Sequence, residues 1–183
     1  MDYSAIIRFL YPTAAQGADF YLYFTQGSTT PTLGNWNTTK LGPQPTIPEL
    51  QQAWPSVQLY QAQQQQLTLL SNNAKQAIIG GFSSSALGSA HLYPSGQTDQ
   101  LNLTASVVAS MLPGVPSTFT TLFYCATGTP AVWAFTPHTA AQIQQVGVDA
   151  KAWIQSQQAT HATLGAEVMA ATTVAAVQAV VWS

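Results

Sequence analysis

Apolar positions change their spacing several times along the chain, and each change marks an element. Ala5, Ile6, Phe9 and Leu10 recur at helical spacing, and Tyr11-Pro12 ends the helix they predict, since the residue before a proline is driven out of helical backbone. Asp19 to Thr25 is aromatic-rich and reads as a strand; turn signals at Gly27, Pro31 and Gly34 precede a short extended piece around Trp36-Asn37. Pro45-Thr46-Ile47-Pro48-Glu49 announces a helix, with Thr46 and Glu49 at capping-box spacing and Pro48 in the first turn. Trp54-Pro55 is expected to close it.

Val57 to Ile79 contains neither proline nor glycine, is rich in Gln, Leu and Ala, and reads as one helix stopped by Gly80-Gly81. Leu59, Ala62, Gln66, Leu70, Ala74 and Ala77 form its seam, which Gln63 to Gln66 weakens. Beyond Phe82 the pattern becomes mixed. Gly88 to Tyr93 predicts a strand, and Thr98 is placed to cap a helix over Asp99 to Leu112, ended by Pro113-Gly114. Phe119 to Cys125 and Ala131 to Phe135 predict a hairpin around Thr127-Gly128-Thr129-Pro130. The remainder reads as helices: one from Pro137 with an apolar stripe of Ile143, Val146, Ala150, Trp153 and Ile154, one over Ala162 to Ala170, and a last one capped by Thr172 or Thr173 and ending at Trp182. The fold class is α+β: a small N-terminal α/β module (1–55), a connecting helix (56–81), and a small antiparallel sheet with C-terminal helices (82–183).

Charge changes this picture most. Of 183 residues only 5% are charged, 4 Lys+Arg against 6 Asp+Glu, where a soluble domain usually carries about a quarter. Four cations cannot provide a phosphate-neutralising footprint, so a nucleic-acid partner is not expected, and electrostatic docking on anionic membranes is disfavoured for the same reason. The N-terminus has no basic segment followed by an apolar core. The apolar stretch Val168 to Trp182 is shorter than the ~20 residues of a spanning helix. A soluble protein is expected. The single cysteine, Cys125, allows no internal disulfide.

Candidate chemistry is sparse. His91 falls in a predicted strand, His138 at a predicted helix start and His161 near a helix boundary, none with a ligand-spaced neighbour. A Cys125–His138 pair is open on sequence alone, although a strand thiol is the commoner reading. The carboxylates Asp2, Asp19, Glu49, Asp99, Asp149 and Glu167 are mutually isolated, and no phosphate-binding loop is present. The expectation is a protein with no enzymatic activity, no cofactor and no metal. Aromatic side chains offer the alternative chemistry of contact, and Trp133, Phe135 and Tyr124 on the predicted hairpin are the candidate partner interface.

Two segments carry a resemblance. Tyr3-Ser4-Ala5-Ile6-Ile7, Tyr11-Pro12, Ala18-Asp19-Phe20, Trp36-Asn37, Pro45-Thr46, Glu49-Leu50 and Trp54 together resemble the small prophage XkdW family, encoded among tail-fibre genes of contractile phage-like elements. Gly81-Phe82-Ser83-Ser84-Ser85-Ala86-Leu87-Gly88, His91-Leu92-Tyr93 and Thr98 to Leu103, with Trp133, His138 to Ile143 and the closing Ala171 to Trp182, are similar to a domain that recurs in tail-fibre assembly and other tail proteins of phages and prophages. Neither resemblance brings catalytic residues with it. They imply a place in the virion tail, or in the host cytoplasm during assembly, with a tail-fibre or baseplate protein as partner and an oligomer compatible with either. The leading expectation is a tail-fibre assembly chaperone. A permanent virion subunit and a module binding host polysaccharide are the alternatives. Asp99 and Asn102 are expected to brace a helix start.

Overall fold

The computed structural model describes residues 1–182. The fold is α+β, and the chain divides into two compact units, Met1–Gln66 with Val168–Ala179, and Leu67–Glu167 with the chain from Val180. The first begins with α1 (Tyr3–Leu10), whose orphan N–H at Ala5 is accepted by the Asp2 carboxylate at 2.9 Å. A two-stranded antiparallel ribbon follows, β1 (Tyr21–Tyr23) and β2 (Thr32–Gly34), with Leu22 opposite Leu33. The strand predicted from Asp19 is thus shorter than its aromatic run. The extended piece expected at Trp36-Asn37 lies upstream, because Asn37 instead caps the short helix α2 (Thr38–Leu41) through the Lys40 N–H.

The core of this unit is built from Tyr3, Ile6, Ile7, Phe20, Leu33, Trp36, Leu50 and Val57. Trp36 packs edge-on against Tyr11 at 4.9 Å and donates its indole N–H to Gly42 O. Asp19 is buried and accepts from Lys40 Nζ at 2.6 Å, Ala15 N and Asn37 Nδ2, and the Lys40 hydrogen bond chiefly holds its carboxyl below the usual range.

Helix α3 (Ile47–Ile79) opens with the expected box. Thr46 N–H donates to Glu49 Oε2 at 2.7 Å, Glu49 N–H donates to Thr46 Oγ1 at 3.4 Å, and the first of these bonds lowers the Glu49 pKa. It does not stop at Trp54-Pro55, and a single helix runs through Pro55. The missing N–H and the ring clash cost about 3 kcal/mol in a helix interior. Leu50 and Val57, two turns apart on one face, are both fully buried in the core and contribute about 1.5–3 kcal/mol each, which offsets that cost.

The second unit contains a four-stranded antiparallel sheet in the order β3-β4-β5-β6, formed by Phe82–Ser84, His91–Tyr93, Thr120–Thr127 and Val132–Thr139. β3 was not legible as a strand. β5 and β6 form the predicted hairpin, but β6 continues through Pro137 and His138 to Thr139 rather than yielding to a helix at Pro137. Helix α4 (Gln97–Ser110) starts two residues earlier than expected: Gly96 rather than Thr98 is its N-cap, and the Asp99 carboxylate accepts the Gly96 N–H at 3.1 Å. Asp99 therefore braces the helix start as expected. Asn102 does not; its side chain is exposed and has no hydrogen bond among the described residues.

Helix α5 (Ala140–Ala170) is continuous where two helices were expected, and it is opened by a Thr139–Gln142 box. Ile143, Val146 and Ala150 of α5 and Leu103 of α4 cover the face of the sheet that carries Phe82, Tyr93, Phe123 and Cys125. The two helices approach closely because Gly147 has no side chain; a Cβ there would lie 2.9 Å from Val107 Cγ2. The last helix, α6 (Val174–Ala179), belongs to the first unit and is capped by Thr173, whose Oγ1 accepts the Ala176 N–H.

Candidate functional site

The sheet of the second unit has one face buried under helices, so strand alternation decides what the other face presents. Tyr124 and Phe135 are opposite each other across the hairpin, and Trp133 lies two residues from Phe135 on the same side. All three therefore emerge together on the uncovered face. Tyr124 stacks on Trp133 with centroids 5.3 Å apart and touches Phe135 at 5.0 Å. Tyr124 and Trp133 are each 40% exposed and Phe135 is 69% exposed. The three residues singled out on the sequence form one cluster.

Two members of this face were missed. Leu122 follows the same alternation and is exposed, and Leu92 of β4 joins it by pairing with Ala126. Alternation along the longer β5 would have found Leu122; nothing local reveals that Leu92 shares the face. Beside Leu122, Tyr124 and Phe135 lies a groove of about 530 Å³, whose other wall is the Asp99, Asn102, Ala105 and Ser106 side of α4. The surface thus combines an apolar floor with an uncharged amide, a hydroxyl and one carboxylate.

The three histidines and the single cysteine lie outside this groove. His138, placed at a helix start by sequence reading, sits near the end of β6 and is completely buried. Its Nδ1–H donates to Thr136 O at 2.8 Å, because a carbonyl can only accept, and this leaves Nε2 as the acceptor for the Tyr93 hydroxyl at 2.9 Å. Burial lowers the His138 pKa and raises that of Tyr93, the latter helped by Cys125. Cys125 is buried in the same core cluster as Tyr93, and the His138 Nε2 that a Cys125–His138 pair could use is taken by the Tyr93 hydroxyl. Ser84 donates to Asp149 and so ties β3 to α5, while His91 lies at an edge of β4 with Nδ1 on Ser89 O. His161 is inside α5 rather than at a boundary. Among the described residues no three His, Cys, Asp or Glu gather as a metal site, and no helix is long and apolar enough to cross a membrane.

The motif residues of the second resemblance acquire structural jobs here. Gly81 has φ +104°, Phe82 stacks on Tyr93 at 5.4 Å, Ser84 holds Asp149, Gly88 turns the chain with φ +88°, and Asp99 caps α4. Each is explained by folding alone.

Comparison with known proteins gives two family matches, each to part of the chain. No curated protein and no solved structure matches the chain. Residues 3–62 match the XkdW protein family, which is phage-associated, so this is a phage-related protein. Residues 61–181, more than half of the chain and all of the sheet and groove described above, match a domain of unknown function, DUF4376, and the chain belongs to that family.

Proposed function

We propose that the protein acts in phage tail-fibre assembly, as a chaperone that binds fibre chains through the Tyr124–Trp133–Phe135 face and carries out no catalysis. The observation behind this is the cluster itself. Three large aromatics, with Tyr124 in contact with both Trp133 and Phe135, lie exposed on an uncharged sheet face, a composition that marks protein-binding surfaces. A fibre subunit before trimerisation exposes apolar and strand-edge surface of the kind such a face covers. A permanent virion subunit at the fibre or baseplate would use the same face, and mass spectrometry of purified particles separates the two roles: the chaperone is absent from them.

The test is co-expression with the tail-fibre protein of the same phage. Trp133→Ala is expected to weaken the complex about 10- to 30-fold, as truncation of a central aromatic anchor does. The Tm should stay within about 3 °C of wild type, because this side chain is outside the core. Affinity should change little between about 0.05 and 0.5 M salt, since few charges are available to be screened. Unchanged fibre yield, folding and trimerisation without this protein would sink the chaperone reading.

The groove favours one second reading, a module for neutral host polysaccharide. Tyr124 and Phe135 offer a stacking floor for a sugar ring, with Asn102, Ser106 and Asp99 within the same groove for hydroxyls. Saturation-transfer NMR with neutral hexoses and their oligomers should then show contact at Tyr124 and Phe135, and loss of the signal in Asn102→Ala. No transfer at millimolar sugar rejects it.

A further inference from the structure

β6 is the outer strand of the sheet, eight residues long, and among the described residues only one of its two edges is paired. Which backbone groups point outward follows from Pro137. A proline has no N–H to give, so in an edge strand it occupies positions whose N–H direction faces away from the neighbour. Trp133 and Phe135 share that phase with Pro137, so their N–H and C=O groups also point out of the sheet. The closing pair of the hairpin, Thr127 with Val132, falls in the opposite phase, as a hydrogen-bonded end pair should.

This edge also lacks the usual protection. β6 contains no Asp, Glu, Lys or Arg, Ala131 to Phe135 are all exposed, and the only blunting device is Pro137 near one end. By contrast, the opposite edge is β3, only three residues long.

We propose that the occupant of this edge is a second copy of the same chain, joined by antiparallel pairing of the two β6 strands about a two-fold axis at Ala134. That register places Trp133 of one copy opposite Phe135 of the other, so both outward-pointing residues exchange backbone hydrogen bonds. Each Pro137 falls outside this central exchange and costs little. An uncharged strand is self-compatible, because identical edges then bring no like charges together. The pairing is isologous and closed, so it stops at a dimer. It goes beyond the fibre reading: the aromatic faces of the two sheets remain uncovered and merge into one platform carrying two copies of Tyr124, Trp133 and Phe135.

The test is sedimentation velocity of the full chain from about 1 to 500 μM. The expected species at high concentration has twice the 19.5 kDa chain mass. Phe135→Pro, which removes the outward N–H as Pro137 already does, should weaken the dimer about tenfold or more. It should do so beyond the effect of Phe135→Ala, which removes only the ring. Ala134→Lys places two cations face to face at the axis and should weaken it several-fold, with recovery in high salt. If Phe135→Pro does not fold, hydrogen exchange of the wild-type protein gives the same answer, since the Trp133 and Phe135 amides should gain protection as concentration rises. A monomer at every concentration, a dimer indifferent to Ala134→Lys and to Phe135→Pro relative to Phe135→Ala, or amides that exchange independently of concentration overturns the proposal. A monomer that still binds fibre through Trp133 overturns the dimer alone and leaves the fibre reading standing.

Discussion

Replacing Gly81 with alanine is expected to destabilise the second unit by on the order of 3 kcal/mol, more than any other single methyl addition at its glycines. Two costs combine at this position. The backbone has φ +104°, where an L side chain is strained, and the added Cβ would stand 2.6 Å from the carbonyl oxygen of Tyr93. That obstacle is backbone, so no rotamer change relieves it. Relief requires β3 to move off β4, and the Phe82–Tyr93 stack at 5.4 Å moves with it. Gly88→Ala is the control, because φ is +88° but nothing lies within 4 Å of the added methyl. It should cost only the conformational part, about 1–2 kcal/mol. Thermal unfolding followed by near-ultraviolet circular dichroism measures both, with the Gly81 variant displaced by roughly 6–12 °C. Equal shifts for the two variants would mean that the close approach to Tyr93 is not maintained in solution.

What could be read from the chain and what could not divide along physical lines. Capping chemistry is local, and the Thr46–Glu49 box is found where the residues place it, as is the Thr173 cap. The hairpin turn around Thr127 to Pro130 is equally local. The failures come where packing overrides a local signal. Pro55 looks like a stop, yet buried Leu50 and Val57 hold the helix on either side of it. Pro137 looks like a helix start, but an edge strand tolerates proline as well as a first turn does. The polar run from Gln155 to His161 has no apolar stripe and suggests a break in α5. The helix continues there, with Thr160 Oγ1 on Ser156 O and Ser156 Oγ on Trp153 O. At the candidate site, strand alternation makes the grouping of Trp133, Phe135 and Tyr124 readable. The groove is not readable, because it depends on where α4 lies beside β5.

The scarcity of charge has a structural counterpart. Long neutral side chains do the tying that ion pairs do elsewhere. Gln63 donates to the carbonyls of Val168 and Ala171 at the end of α5, Gln100 to Ser95 O, and Gln144 to Ser110 Oγ. Such bonds contribute about 0.5–1.5 kcal/mol each and are not screened by salt. Lys40 with Asp19 is an ion pair set against this background, and there the carboxylate is also held by a backbone N–H and an amide. A surface built this way offers shape and hydrogen bonds rather than a strong electrostatic field.

The second large effect is expected from His138. Truncation to alanine should cost about 3–5 kcal/mol, because it opens a cavity against Tyr93 and Phe123 and leaves the buried Tyr93 hydroxyl without an acceptor. Tyr93→Phe alone orphans Nε2 and should also destabilise. In the double variant Tyr93→Phe with His138→Leu neither polar atom remains, so its cost should fall below the sum of Tyr93→Phe and His138→Leu measured singly. The same pair predicts a pH response. Burial holds the folded-state pKa of His138 below the ordinary 6.5, so on acidification the unfolded chain takes up the proton first. Stability from this group is therefore fully present above pH 6.5 and is lost as pH falls below it toward the lowered folded-state value, with a slope of at most about 1.4 kcal/mol per pH unit. Asp19 and Glu49, whose pKa values are also lowered, begin to lose their contributions only below their ordinary values of 3.8 and 4.5, whereas the loss from His138 sets in already below 6.5. Urea unfolding at pH 7.5 and about pH 5.5, compared between wild type and His138→Leu, isolates the imidazole. A wild-type protein that loses no more stability than the variant over that interval would show that the imidazole is not held neutral against Tyr93.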